Sequence, residues 1–367
     1  MLDRALVLLF PAPNTSTGED VVELHLHGGR AVVAAVEAAL AALPGLRPAE
    51  PGEFTRRALA NGRIDLIQAQ GLADLLEAET EQQRRLAVEA AEGAVSRLVA
   101  GWLADLASIG ALIEAAIDFE DEGDVAPADL PMLDAAQARL LDALDATLAR
   151  APVERYRDGV RIVLVGPPNA GKSSLFNAMI GRDAAIVSPI AGTTRDRIEA
   201  SVVRAGRAYL LTDTAGLRDD AADPIERLGI DRAGAARAAA DIVLDLSDDP
   251  DPRAIAVYAR SDVRPPAPAD RVPTDCADAA TIERLWNMID QRAAAILGAP
   301  DGPTFHEAER RAIGEARAAL ALAQGEPDLL LRAEAVRQAT RALAGLLGVD
   351  ATETMLDALF ARFCVGK

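Results

Sequence analysis

Residues 166–173 read Gly-Pro-Pro-Asn-Ala-Gly-Lys-Ser, the GxxxxGK[ST] spacing of a loop that wraps phosphates. Glycines let backbone N–H groups approach phosphate oxygens, and a helix beginning at the loop's end adds positive potential. In such a loop Asn169, Ala170, Gly171 and Ser174 line the phosphates, Lys172 meets the terminal ones as a point charge, and Ser173 offers a hydroxyl to Mg2+. Further along stands Asp213-Thr214-Ala215-Gly216, an acid at a strand end followed by a tight turn, suited to holding a metal's water shell and sensing a terminal phosphate. Between them, Ser188-Pro189-Ile190-Ala191-Gly192-Thr193-Thr194 forms a loop able to give a second hydroxyl to Mg2+. Together the three segments predict a nucleoside-triphosphate switch. Of 38 basic residues only Lys172 and Lys367 are lysines. A bias toward arginine accounts for the ratio but not for the two positions, and a planar guanidinium is a poor substitute for a compact ammonium.

These groups need a strand–loop–helix frame, and the local patterns supply one. Residues 161–165 (RIVLV), 208–213 and 241–246 read as strands and 173–180 as a helix, which predicts a parallel α/β sheet. Earlier, 5–10 and 21–26 read as strands around a Pro/Gly-rich turn, followed by a helix over 30–43. Apolar spacing of three and four predicts helices over 65–78, 82–118, 131–150, 306–324 and 328–347. The expected fold class is multidomain, α/β plus all-α. A partial N-terminal α+β domain (1–62) precedes a helical domain (63–157 and 299–367), which is interrupted by an inserted Ras-like α/β domain (158–298).

With 367 residues, half of them hydrophobic, the chain is long enough for several cores. Its net charge of −19 argues against a protein that coats nucleic acid phosphates by itself. No uninterrupted apolar run approaches the length of a membrane span, no secretory signal opens the chain, and two cysteines cannot build a disulfide framework. The expected compartment is the cytoplasm, with no membrane partner. His25 and His27 share a strand face without a third ligand nearby, and a terminal lysine argues against prenylation at Cys364.

Several motifs carry a resemblance to one family. They are Asn-Ala-Gly-Lys-Ser-Ser at 169–174, Ala-Gly-Thr-Thr-Arg-Asp at 191–196, Asp-Thr-Ala-Gly-Leu-Arg at 213–218 and the terminal Phe363-Cys364-Val365-Gly366-Lys367. Thr17-Gly-Glu-Asp, His27-Gly-Gly, Pro51-Gly-Glu-Phe-Thr and Asn61-Gly-Arg-Ile-Asp65 add to them. Over nearly its whole length the chain resembles the tRNA-modification GTPase MnmE (TrmE) family. That resemblance implies a GTPase that works as a homodimer with the flavoprotein MnmG and with tRNA, adding an aminomethyl-type group at C5 of the wobble uridine. It implies GTP, Mg2+, K+ and a 5-formyltetrahydrofolate-type one-carbon donor. By the same resemblance Asn169, Ser188, Ile190 and Thr193 hold K+, and Ser173 and Thr194 hold Mg2+. Glu226 orients the attacking water, Asp262 reads guanine, and Glu23, Arg63 and Lys367 contact the folate.

Two departures stand out. The family's Asn-Lys-x-Asp is Ala259-Arg260-Ser261-Asp262 here, so Asp262 can still accept from guanine N1 and N2 while the asparagine amide is missing. The following Ser-Ala-Lys-type loop falls at Asp275-Cys276-Ala277. In addition, only residues 247–253 separate strand 241–246 from a candidate strand at 254–258, too few for a helical crossover. Either that segment does not pair in parallel or the base pocket is rebuilt. A non-hydrolysing scaffold descended from the family, or another P-loop GTPase, are the competing readings.

Overall fold

The computed structural model describes residues 1–120, 130–183, 199–213, 236–298 and 302–348, with Leu356, Leu359, Phe360 and Phe363. It divides into two compact units: residues 1–78, 85–148 and 308–367 form one, and 79–84 with 149–307 form the other.

The first unit opens on strands β1 (Leu6–Phe10) and β2 (Val21–His25), an antiparallel pair with Leu8 opposite Glu23. Helix α1 (Arg30–Ala41) follows, then α2 (Glu53–Ala60). Helix α3 (Leu66–Glu77) begins at a capping box in which Asp65 accepts from the Gln68 N–H and the Gln68 side chain accepts from the Asp65 N–H. The single helix expected over 82–118 is instead two, α4 (Glu81–Ala91) and α5 (Ala94–Glu120). Gly93, at φ 80°, takes the left-handed position that ends α4, and α5 restarts at once.

Along α5, Val95, Val99, Trp102, Leu106, Ile109, Ile113 and Ala116 form one buried stripe. By length and mean hydropathy residues 94–117 could cross a membrane, although charged residues interrupt any apolar run. One such helix is by itself a weak signal, and its buried stripe is the part used in the bundle. It packs on α6 (Leu130–Leu148) and on α11 (Leu329–Leu346), with α10 (Glu307–Leu322) in the same unit. Buried Arg332 donates to Asp134 at 2.7 Å and Gln137 donates to the Leu320 carbonyl at 2.6 Å, tying together segments far apart in sequence. Leu359, Phe360 and Phe363 complete an apolar cluster with Leu66, Ala69 and Ala73.

The second unit holds a six-stranded sheet of β3 (Val160–Val165), β4 (Glu199–Arg204), β5 (Arg207–Asp213), β6 (Ile242–Asp245), β7 (Ile255–Ala259) and β8 (Val272–Thr274), in the order β4-β5-β3-β6-β7-β8. Strand β4, which the sequence patterns did not pick out, pairs antiparallel with β5 through a two-residue turn, Ala205-Gly206, with φ positive at both positions. All other neighbours are parallel. The unit also contains α7 (Val153–Arg157), α8 (Lys172–Asp183) and α9 (Ala279–Leu297), the last capped by Asp278. Trp286 of α9 is fully buried edge-on to Tyr209 of β5, with centroids 5.3 Å apart.

The short connection does join parallel strands, and the register explains how. Ile255 lies opposite Leu244 and Ala256 opposite Asp245, so β7 begins level with the point where β6 ends. The chain therefore never returns down the sheet. Residues 246–254 need only step sideways, which removes the requirement for a helix.

At the lower edge of this unit Glu154 meets His306 and Glu307. Burial alone would raise its carboxyl, but His306 Nδ1 at 3.1 Å and the Glu307 N–H outweigh that and hold it at about 2. A carboxylate depressed in the folded state stabilises fully above its unfolded value near 4.5, and the contribution is lost as pH falls through the folded value. Glu154→Gln should therefore cost about 2–3 kcal/mol near pH 7, with the gap to wild type shrinking between about pH 4.5 and 2. Denaturant unfolding across that range checks it, and a gap independent of pH would refute the assignment.

Candidate functional site

Strand β3 ends at Val165 and α8 starts at Lys172, so residues 166–171 form the turn between them. Gly166 at φ 145° runs against Leu246, where a Cβ would sit 3.1 Å from the Leu246 Cβ. Asn169 adopts φ 61°, a left-handed conformation uncommon outside glycine, and its side chain is exposed at the loop's crest. Lys172 is buried, and its Nζ donates back to the carbonyls of Gly166 at 3.0 Å and Pro167 at 2.9 Å, which closes the loop into a ring. Next to it, Ser173 Oγ donates to Asp213 Oδ2 at 2.6 Å. Asp213 is the last residue of β5, paired opposite Leu164 of β3, so the sheet register sets the distance between serine and carboxylate. A hydroxyl and a carboxylate at this separation are hard oxygen donors of the kind Mg2+ prefers.

The ends of β7 and β8 flank this cradle. Ala259 is buried, with its Cβ 3.5 Å from where a Cβ on Gly171 would lie, and the Arg260 Nε is 4.0 Å from the same point. Arg260 stands at φ 58°, a strained position for a long side chain. Ser261 N–H donates to the Thr274 carbonyl, joining the two strand ends. Beyond Thr274, Thr281 Oγ1 accepts from the Asp275 N–H and lies within hydrogen-bond distance of the carbonyls of Asp275 and Asp278, which share its one proton, while Asp275 accepts from the Ala277 N–H. Burial pushes the half-buried Cys276 thiol up, with the carboxylates of Asp275 and Asp262 adding to the shift and Arg260 opposing it. The Ser261–Thr274 bond brings the segments that carry Asp262 and Cys276 side by side. The threonines that fix this loop escape sequence reasoning, because nothing in their spacing marks a loop brace.

In the first unit the Thr17 and Asn61 motifs meet. Asn61 Nδ2 donates to the Thr17 carbonyl at 2.8 Å, and Arg57 pairs with Glu19. Arg63 lines a cavity of about 520 Å3 with Asp65, Gln68, Leu347 and Leu356. Glu23 is exposed on β2, 3.1 Å from His25 Nε2. Ser188, Pro189, Ile190, Ala191, Gly192, Thr193, Thr194, Thr214, Ala215, Gly216, Glu226 and Lys367 lie outside the described residues.

A mostly parallel sheet with a phosphate-type loop after its central strand, a lysine inside that loop and a serine–aspartate pair beside it define a P-loop nucleotide hydrolase. Residues 66–364 match the MnmE helical domain and residues 1–63 match the N-terminus of the GTP-binding protein TrmE. The tRNA modification GTPase MnmE of Rhizorhabdus wittichii is 52% identical over 380 residues, spanning all of this chain and 84% of that protein. Its counterpart in Sphingopyxis alaskensis is 50% identical over 382 residues, spanning all of this chain and 91% of that protein. Among solved structures, the cytosolic domain of the T. maritima FeoB iron transporter covers 55% of this chain and 92% of its own at 18% identity, with a TM-score of 0.26, too loose a match to support an inference. The chain belongs to the MnmE family of tRNA-modification GTPases.

Proposed function

We infer that this GTPase uses K+ and Mg2+ at the cradle and couples hydrolysis to modification of C5 of the tRNA wobble uridine. It does so as a homodimer in the cytoplasm, together with the flavoprotein MnmG and a formyl-folate donor. The observation that carries the nucleotide side is the ring closed by Lys172 beside the Ser173–Asp213 pair. In this reading Lys172 and the N–H groups of 169–174 bind the phosphates, and Ser173 with Thr194 holds Mg2+, which neutralises charge on the transferring phosphoryl group when bound. Asn169, with Ser188, Ile190 and Thr193, holds K+, Glu226 positions the water, and Asp262 accepts hydrogen bonds from guanine. Domain limits of 1–62, 63–157 with 299–367, and 158–298 go with this assignment.

For the folate, Glu23, Arg63 and Lys367 are the proposed contacts. Arg63 supports this reading by lining a cavity of a size suited to a fused-ring ligand, with a guanidinium available to an anionic group. GTP turnover at saturation should be faster in KCl than in NaCl by at least about tenfold, since a charge aimed at the transition state acts on the rate constant. Equal rates in the two salts would remove K+ from the mechanism.

A further inference from the structure

The base-reading strand, β7, is poorly fixed by its own ladder. It shares two register pairs with β6, Leu244↔Ile255 and Asp245↔Ala256, and three with β8. In contrast, β3, which carries the phosphate loop, has five pairs with β5 and four with β6. The connection 246–254 that should set the height of β7 contains no helix and borders an open crevice of about 530 Å3 beside Gly166 and Pro167. Burial of Ile255, Val257, Tyr258 and Ala259 fixes which face of β7 meets the core. Its five ladder pairs against nine for β3 leave its height more open to small displacement, which a further constraint along its axis would remove.

Arg271 supplies one. It immediately precedes β8, and its two terminal nitrogens donate to the carbonyls of Ser247, at 2.9 Å, and Asp248. Its Nε–H is buried and makes no hydrogen bond among the described residues, an expense that a purely solvating arginine would not carry. Other groups hold the same connection. Asp245 accepts from the N–H groups of Ser247 and Asp251, Arg292 of α9 donates to the Arg253 carbonyl at 2.6 Å, and Arg237 pairs with Asp251. Arg264 lies over the Tyr258 ring at 4.2 Å and faces Asp248 at 3.5 Å. Among the described residues, Arg271 is the side chain that joins the exit of β6 to the start of β8, with β7 between them.

We propose that Arg271 is a positioning residue for guanine recognition: by clamping the helix-free connection to β8, it fixes the height of β7 and so holds Ala259–Asp262 against Gly171 and the Asp275–Ala277 loop. The proposal rests on the reading in which Asp262 accepts from guanine. It separates two functions of one site. The phosphate cradle is built on β3 and α8, with Gly166 resting on Leu246 at the start of the connection, so loss of Arg271 should fall mainly on base selection and less on phosphate binding.

The test is calorimetry on the full chain with GDP, ADP and pyrophosphate, for wild type, Arg271→Met, Arg271→Lys and Asp262→Ala. Arg271→Met should lower GDP affinity by at least about tenfold while ADP and pyrophosphate stay within about threefold, so that the GDP/ADP ratio collapses. Arg271→Lys, whose shorter side chain ends in one nitrogen where the arginine presents two to the carbonyls, should give an intermediate ratio. A pyrophosphate loss matching the GDP loss would make Arg271 merely structural and overturn the proposal. Should Arg271→Met fail to fold, a wild-type ratio in Arg271→Lys overturns it equally. If Asp262→Ala collapses the ratio and neither Arg271 variant does, only the role of Arg271 falls; if Asp262→Ala leaves the ratio intact, the base is read elsewhere and both fall.

Discussion

Replacing Lys172 by arginine should weaken nucleotide binding about as much as replacing it by alanine. The side chain is 6% exposed and its ammonium lies within hydrogen-bond distance of two carbonyls of its own loop, at 2.9 and 3.0 Å. That places a compact charge inside a ring of backbone, where the proposed terminal phosphates would meet it. A charge-assisted hydrogen bond to phosphate contributes about 1.5–3 kcal/mol, so losing the one N–H left after the two carbonyls amounts to a factor of roughly 10 to 150 in affinity. Alanine removes the charge. Arginine keeps it, but its planar fork is too large for the ring and aims its donors elsewhere. The comparison has particular force here because 36 of the chain's 38 basic residues are arginine. Lysine survives at 172 against the composition of everything around it. Titration of GDP into the two variants checks the expectation, and an arginine variant binding within about tenfold of wild type would show that charge alone suffices.

The phosphate side was legible in the sequence because its chemistry dictates residue type and spacing together. A backbone that must approach phosphate needs glycine, and the turn must end on a helix, so Gly166 to Ser173 could be read without a structure. Fold class was equally legible, since the period of the apolar residues changes from about two to about 3.6 and back. What the sequence hid was register. The level start of β7 beside the end of β6 is set by pairing between strands, and a short connection looked like an obstacle when it was a consequence of stagger. Strand β4 was missed because Glu199–Arg204 is a mostly unburied partner in a hairpin and lacks the apolar run of the central strands. The break at Gly93 was missed because one glycine in an alanine-rich period does not by itself end a helix; the left-handed turn there depends on α4 and α5 each finding its own packing. The motifs at Thr17 and Asn61 were both visible as words, but the bond between them was not.

Guanine affinity should rise when Ala259→Asn and Arg260→Lys are introduced together. Ala259 sits against the loop at Gly171, 3.5 Å from the position of a Cβ there, and brings no polar atom to that contact. An asparagine amide at this place can donate to the base and accept from the loop at once, and losing one or two such bonds costs on the order of 1–3 kcal/mol, or roughly 5- to 150-fold in affinity. The backbone at residue 260 already holds φ 58°, so the native chain bears the strain of this turn without the amide that should accompany it. Lysine at 260 exchanges a broad guanidinium, whose Nε is 4.0 Å from that same point, for a stem that lies flat along a base. If Asp262 holds guanine by N1 and N2, as proposed, the new amide meets a base already fixed in place, so GDP should gain more than ADP and the selectivity ratio should widen along with the affinity. Calorimetry with both nucleotides decides it. A gain shared equally by GDP and ADP would mean that the new side chains brace the phosphate loop without touching guanine. No gain at all would mean that the base is held by groups other than the ends of β7 and β8. The pocket would then have been rebuilt elsewhere, and the open crevice beside the 246–254 connection is where a replacement contact should be sought.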